Sequence, residues 1–247
     1  MSQAPTGITQ TINRIVERTV EKVVTEPAKS VAAAVGVTPT PAPAPVASKT
    51  ETTVVVKEDD LAADSIAKVQ GSMVKIIEKG ASESTFYARG IIVDASGAIA
   101  TDKYRIDPNQ ASEAIFPDGA RIPITPRPSV PGISVLIFDP NFIATTTPKY
   151  SAAKLADLSK LRLGQAVIRI GGKGRDSVSN GVIASLPDAS QEGEHLVETN
   201  ITSTMPGAVL LTIFGDVIGL TTGTSLQSAN TTYTPATSIT TALNSKK

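Results

Sequence analysis

Few side chains in this chain are equipped for covalent or acid–base chemistry. It has one histidine and no cysteine, which excludes disulfides, thiolate nucleophiles, Cys-zinc sites and His-rich metal sites, so no metal or cofactor is expected. The histidine, His195, ends Glu192-Gly-Glu-His195 and reads as a solvated surface residue between Glu194 and Glu198. Among the hydroxyls, Ser203 is the candidate nucleophile, and a Ser–Lys dyad can be written with Lys103. That dyad requires a buried lysine of lowered pKa, whereas the neighbouring Asp102 and Arg105 mark a wet turn. Asp94, Asp102, Asp107, Asp118 and Asp139 sit at strand ends, where a short carboxylate caps a turn, and none has the spacing of a calcium loop. Gly171-Gly-Lys-Gly-Arg175 is glycine-rich and basic but lacks the phosphate-loop spacing and a following helix, so it reads as an interstrand loop.

The elements that must position these residues follow from composition and pattern. The 247 residues are 40% apolar but only 4% aromatic, so a sizeable core is filled mainly by Val, Ile, Leu and Ala. Lysine plus arginine equals aspartate plus glutamate at 23 each, and no global field favours nucleic acid or an anionic membrane. The sparse aromatics offer no base-stacking platform. No run approaches the roughly 18 apolar residues of a spanning helix, and Met1 to Thr11 lacks the charged and apolar regions of a signal peptide. A soluble chain is expected.

Three segments are expected along the chain. Residues 1–26 contain Ile8 to Val24, where Ile12, Ile15/Val16, Thr19/Val20 and Val23/Val24 recur at helical spacing and predict an amphipathic helix, although its β-branched richness counts against it. Two readings stay open for this helix: a partly ordered spacer, or a coiled coil that makes a homo-oligomer through residues 8–24. Residues 27–52 form a Pro/Ala-rich linker whose core, Val37 to Val46, has proline at alternate positions and is a semi-rigid polyproline-like tether. Tethers of this composition suit an extracytoplasmic location, periplasmic or at the cell surface. Residues 53–247 form the folded domain. After a short strand at Thr52 to Lys57 and a helix at Leu61 to Val69, the grammar changes to short β runs separated by Gly, Pro and Asn/Asp turns, which predicts an all-β barrel or sandwich. Two halves of about six strands each suit a double barrel.

The centre of this pattern is Glu198 to Gly223, whose second half, Val209 to Leu220, makes two β runs hinged at Gly215-Asp216. Here Pro206-Gly-Ala-Val-Leu210 and Gly215-Asp-Val-Ile-Gly-Leu220 resemble the nucleophile loop and following hairpin of HtrA-like, trypsin-fold serine proteases. Gly90-Ile-Ile-Val-Asp-Ala-Ser-Gly-Ala-Ile-Ala-Thr101 is similar to that family's G-F-I-V-D-x-x-G-x-I-L-T, and Phe116 to Ile122 to its next hairpin. Gly132-Ile-Ser-Val-Leu-Ile137 resembles D-I-A-V-L-K, Leu163 to Gly172 resembles L-x-V-G-x-x-V-I-A-I-G-N, and Ser179 to Ser185 resembles V-T-x-G-I-I-S. Their shared order is more specific than any one of them. The resemblance implies a trypsin-like double six-stranded β-barrel with short helices at both ends of the domain, and it leaves out the amino-terminal 55 or so residues. Tyr233 to Leu243 resembles the family's closing strand and terminal helix, so no appended PDZ module is expected.

The resemblance also assigns positions to the catalytic triad, which needs a hydroxyl nucleophile, an imidazole base and an orienting carboxylate. The histidine position falls on Tyr104, and a phenol, unlike an imidazole, cannot act as a neutral-pH base. The aspartate position falls on Gly132. Counting back without gaps from Gly215, the serine position falls on Pro206, and the alternative register, which deletes part of the loop, yields no serine either. Loss of the nucleophile turn also puts the oxyanion hole in doubt, although Gly207 could still present an amide. The expectation is therefore a catalytically inactive protease homologue, a pseudoprotease, that binds a polypeptide or protein partner by adding a peptide to a strand edge. The alternatives are a hydrolase using Ser203 and an oligomeric structural surface protein.

Overall fold

The computed structural model describes residues 15–21, 51–127, 131–142, 148–172, 176–187 and 195–245. Two units are separated after Asp60. In the first, Ile15–Glu21 (β1) pairs antiparallel with Glu51–Lys57 (β2), from Ile15 opposite Lys57 to Glu21 opposite Glu51. This corrects the helix expected across Ile8 to Val24. Ile15, Val16, Thr19 and Val20 are β-branched and stiff at χ1, and a partner run of the same kind, Thr52-Thr-Val-Val-Val56, lies in β2. The boundary expected at residue 53 falls inside β2. The rest of the expected helix, and the Pro/Ala linker as far as residue 50, lie outside the described residues.

The second unit begins within α1 (Glu58–Gln70) and holds two closed barrels. The first is built from Met73–Glu78 (β3), Ala88–Ile92 (β4), Ile99–Asp102 (β5), Ser112–Ile115 (β6), Arg121–Pro126 (β7) and Ile133–Phe138 (β8), closing in the order β3-β4-β5-β8-β7-β6. The second uses Ala166–Gly171 (β9), Ser177–Ser185 (β10), Val197–Thr199 (β11), Val209–Thr212 (β12), Val217–Leu220 (β13) and Thr232–Pro235 (β14), closing as β10-β11-β14-β13-β12-β9. Two further helices, Gly223–Ser228 (α2) and Ala236–Asn244 (α3), follow β13 and β14.

Strand periodicity sorts the apolar residues into three cores. Ile92, Ile99 and Leu136 point into the first barrel with Val74, Ile76 and Ile124. Their neighbours Ile91, Ala100 and Val135 point outward, onto Ile168, Ile170, Val209 and Leu211 of the second barrel and onto Ile239 and Ala242 of α3. Val167, Ile183, Leu210, Ile218 and Tyr233 fill the second barrel. An aromatic trio adds to the first barrel's core, with Phe116 5.7 Å from both Phe138 and Tyr150, centroid to centroid.

Several local features differ from the sequence reading. Strand β10 runs unbroken through Asn180 and Gly181, its amino-terminal part pairing with β9 and its carboxy-terminal part with β11. Pro123 and Pro126 hide the length of β7, yet Pro123 sits opposite Glu113 and Pro126 opposite Leu136. Helix α2 has no apolar stripe to announce it. It starts because the Thr222 and Ser225 side chains each satisfy the other's backbone amide in a capping box. The five aspartates do cap turns: Asp94, Asp102, Asp107, Asp118 and Asp139 each accept the amide of the residue two positions on.

Candidate functional site

The positions that the family resemblance assigns to catalysis meet where β5, the start of β8, the loop before β12 and the start of α2 come together. Tyr104 lies in a 3-10 turn, Lys103–Arg105, directly after β5. The residue is 62% exposed and packs closely enough on Gly223 that a Cβ there would come 2.7 Å from Cδ2. Gly132 stands just before β8 with φ of +79°, and its carbonyl accepts the Lys103 amide at 3.0 Å. A Cβ at Gly132 would stand 3.4 Å from the Thr222 hydroxyl oxygen and 3.5 Å from that of Thr224, so this position faces the α2 start. Tyr104 and Gly132 thus both border the start of α2.

The carboxylate at this junction belongs to Asp102. It is 1% exposed, and its Oδ1 accepts the amides of Tyr104 at 3.2 Å and of Gly223 at 3.0 Å, while Oδ2 is buried without a partner. Burial raises its pKa, opposed by the two amides and by the Arg105 charge. The wet turn expected around Asp102 is corrected by this burial: Lys103, Tyr104 and Arg105 are exposed, but the aspartate that caps them is not. The sequence signal was its place at the end of the buried run Ile99-Ala-Thr-Asp102.

The loop around Pro206 is held from below by Thr221. The Gly207 amide donates to the Thr221 carbonyl at 2.7 Å, and the Ala208 amide donates to the Thr221 hydroxyl at 2.8 Å. That hydroxyl in turn donates to the Met205 carbonyl at 2.6 Å. The Gly207 amide, expected to be free for an incoming oxygen, is therefore already paired. Gly207 itself is tightly placed, with φ of +80° and a would-be Cβ 2.7 Å from the Arg89 carbonyl oxygen, so only glycine fits. On the β13 side, the Thr221 amide donates to Ala208, that of Thr222 to the Ser225 hydroxyl and that of Gly223 to Asp102.

Ser203 is 1% exposed, and its hydroxyl donates to the Met205 carbonyl at 3.4 Å. Lys103 is exposed, and among the described residues no hydrogen bond joins it to Ser203. His195 is exposed, as its polar loop implies. Two buried cations close to the Pro206 loop were not singled out as charged groups in the sequence. Arg89 on β4 pairs with Asp176 at 2.6 Å and donates Nε to the Gly172 carbonyl at 3.2 Å. Arg169 on β9 donates to the hydroxyls of Ser177 and Ser179 at 3.2 and 3.1 Å. Alternation within Ala166-Val-Ile-Arg-Ile170 was the signal that could have found Arg169, since it shares a face with the inward-pointing Val167.

No helix among the described residues is long and apolar enough to cross a membrane. No protein-family model matches the chain. No curated protein matches it either. Solved structures do. Deg5 superposes with a TM-score of 0.57 at 22% identity, over 74% of this chain and 92% of Deg5. The HtrA-type protease AlgW, solved with a decapeptide, superposes with a TM-score of 0.57 at 15% identity, over 72% of this chain and 65% of AlgW. With two closed six-stranded barrels in the same chain, the protein has the trypsin-like, HtrA-type double β-barrel fold.

Proposed function

We propose that this protein is a pseudoprotease, a trypsin-like double barrel that binds a peptide or protein partner and does not cleave it. The observation that carries the reading is the loop at Pro206: the Gly207 and Ala208 amides are spent on Thr221 and are not free to stabilise an oxyanion. The occupants of the triad positions, Tyr104, Gly132 and Pro206, agree with it, because none supplies a base, an orienting carboxylate or a nucleophile. The burial of Ser203 speaks against the alternative nucleophile. Peptide binding is supported by the likeness to AlgW, whose solved structure holds a decapeptide.

The reading puts the peptide between the barrels and not on a free sheet edge. Both sheets close on themselves, and the amides that follow β13 are paired internally, so a peptide would lie in the seam near Tyr104, Gly132 and the Pro206 loop. An extracytoplasmic setting, suited to the Pro/Ala tether, belongs to the same reading.

The test is an incubation of the folded, full-length protein and its Ser203→Ala variant with unfolded casein and with a fluorophosphonate probe, beside anisotropy titrations of unstructured peptides. The expected result is no cleavage, no labelling and saturable peptide binding. Cleavage or labelling that disappears in Ser203→Ala overturns the pseudoprotease in favour of a serine hydrolase.

A further inference from the structure

Beside the Pro206 loop, two guanidinium groups are buried with hydrogen-bonding capacity left over. Arg89 is 4% exposed and Arg169 is 9% exposed, yet Nη2 of Arg89 and Nε of Arg169 are both buried without a partner among the described residues. Such groups are rare, because each unpaired buried donor forfeits its hydration, and arginine cannot escape by losing its proton. The two differ in how their charge is met. Arg89 has the Asp176 carboxylate at 2.6 Å and the Phe86 ring 4.9 Å below its guanidinium. Arg169 has only two neutral serine hydroxyls, and no carboxylate among the described residues lies within ion-pair distance. The pair therefore carries one positive charge that nothing described neutralises.

The position of that charge is set by the β9–β10 register. Ser179 lies directly opposite Arg169, and Ser177 two residues along on the same face; Ser179 is half-buried and Ser177 exposed. The wall towards the Pro206 loop is Gly171. A Cβ there would stand 2.7 Å from the Ala208 Cβ and 3.3 Å from Nη1 of Arg169, so only a glycine lets the Arg169 guanidinium and the loop come this close. On the other side, Gly207 packs on the Arg89 backbone, and Gly172 receives the Arg89 Nε bond. Both cations thus flank the loop beside which a bound peptide would lie.

We propose that Arg169, aided by Arg89, binds a carboxylate of an acidic peptide, which deepens the peptide-binding reading above and rests on it. A planar carboxylate suits a guanidinium fork, which can donate two parallel hydrogen bonds to it. The Ser177 and Ser179 hydroxyls hold Arg169 in place; Ser177 donates its own proton to the Gly171 carbonyl at 2.9 Å, and Ser179 can turn to donate to the bound carboxylate.

The test uses the full chain and two labelled, unstructured peptides, one carrying glutamates and the other glutamine at the same positions, read by fluorescence anisotropy. Thermal melts in sodium acetate against sodium chloride at equal ionic strength run in parallel. The acidic peptide is expected to bind about tenfold tighter than its amide twin, and acetate to raise the melting temperature. Both effects vanish in Arg169→Met and weaken in Arg169→Lys, which keeps the charge but loses the fork and guards against a variant that fails to fold. Equal binding of the two peptides overturns the carboxylate site while leaving peptide binding intact. If neither peptide binds but acetate still stabilises in an Arg169-dependent way, the carboxylate site stands and the peptide reading falls. No effect of acetate and no peptide binding overturns both.

Discussion

The Oδ1 atom of Asp102, at the end of β5, accepts the backbone amide of Gly223, the first residue of α2, at 3.0 Å, and so ties the first barrel to the second. The tie is made by a carboxylate whose other oxygen is buried and unpartnered, so it holds the seam together while carrying an expensive charge.

Asp102→Asn keeps the acceptor and removes the charge. Because burial raises the folded pKa above the unfolded value, the wild-type residue contributes stability that is fully present below the ordinary carboxylate range and is lost as pH rises through the folded pKa. The expected outcome is that Asn is neutral or stabilising near pH 7 and loses that advantage near about pH 4. Asp102→Ala removes both accepted hydrogen bonds and should cost about 1–3 kcal/mol at either pH. Urea unfolding of the three proteins at the two pH values checks the ordering, and a wild type more stable than Asn at neutral pH would refute it.

Thr221→Val preserves shape at a fully buried position but removes the hydroxyl that donates to the Met205 carbonyl and accepts from the Ala208 amide. Each buried group left unpaired costs about 1–3 kcal/mol, so a clear fall in the urea midpoint is expected with an unchanged slope. Amide exchange at Ala208 should speed up along with it. An unchanged midpoint would mean that the loop is not held from Thr221.

Tyr233 fills the second barrel with no exposed surface, and burial pushes its phenol up to about 12, against the opposing influence of the nearby Arg169 charge and a side-chain bond with Thr199. Its hydroxyl donates to the Ile201 carbonyl at 3.3 Å. With a folded pKa above the unfolded one, the neutral phenol's contribution is complete below about pH 10 and disappears as pH rises towards about 12. Tyr233→Phe should therefore unfold less steeply in alkali than the wild type. Circular dichroism followed from neutral pH to about pH 12 reads this directly.

Much of the fold was legible because it depends on neighbours in sequence. The alternation in Gly97-Ala-Ile-Ala-Thr101 and Ile133-Ser-Val-Leu-Ile-Phe138 already separates residues facing the first barrel's interior from those facing the seam. The same local logic misled at Ile15–Glu21, where helical spacing and β-branched stiffness point in opposite directions and a strand partner far along the chain, Glu51–Lys57, decides between them. Asp102 was readable as a turn cap but not as a buried one, since its burial comes from α2, which lies 121 residues further on.

What the sequence by itself determined was the order of strands, the capping aspartates, the absence of cysteine chemistry and the residue types available at Tyr104, Gly132 and Pro206. Only the tertiary structure decided that the Gly207 and Ala208 amides turn into Thr221, that Ser203 is buried and that Arg89 and Arg169 share the space beside the Pro206 loop. The physical reason is that periodicity reports which face of a strand a residue takes. Which groups meet across the seam and the barrel mouths depends on closing two sheets and packing them together, and that sum of long-range contacts has no local signature.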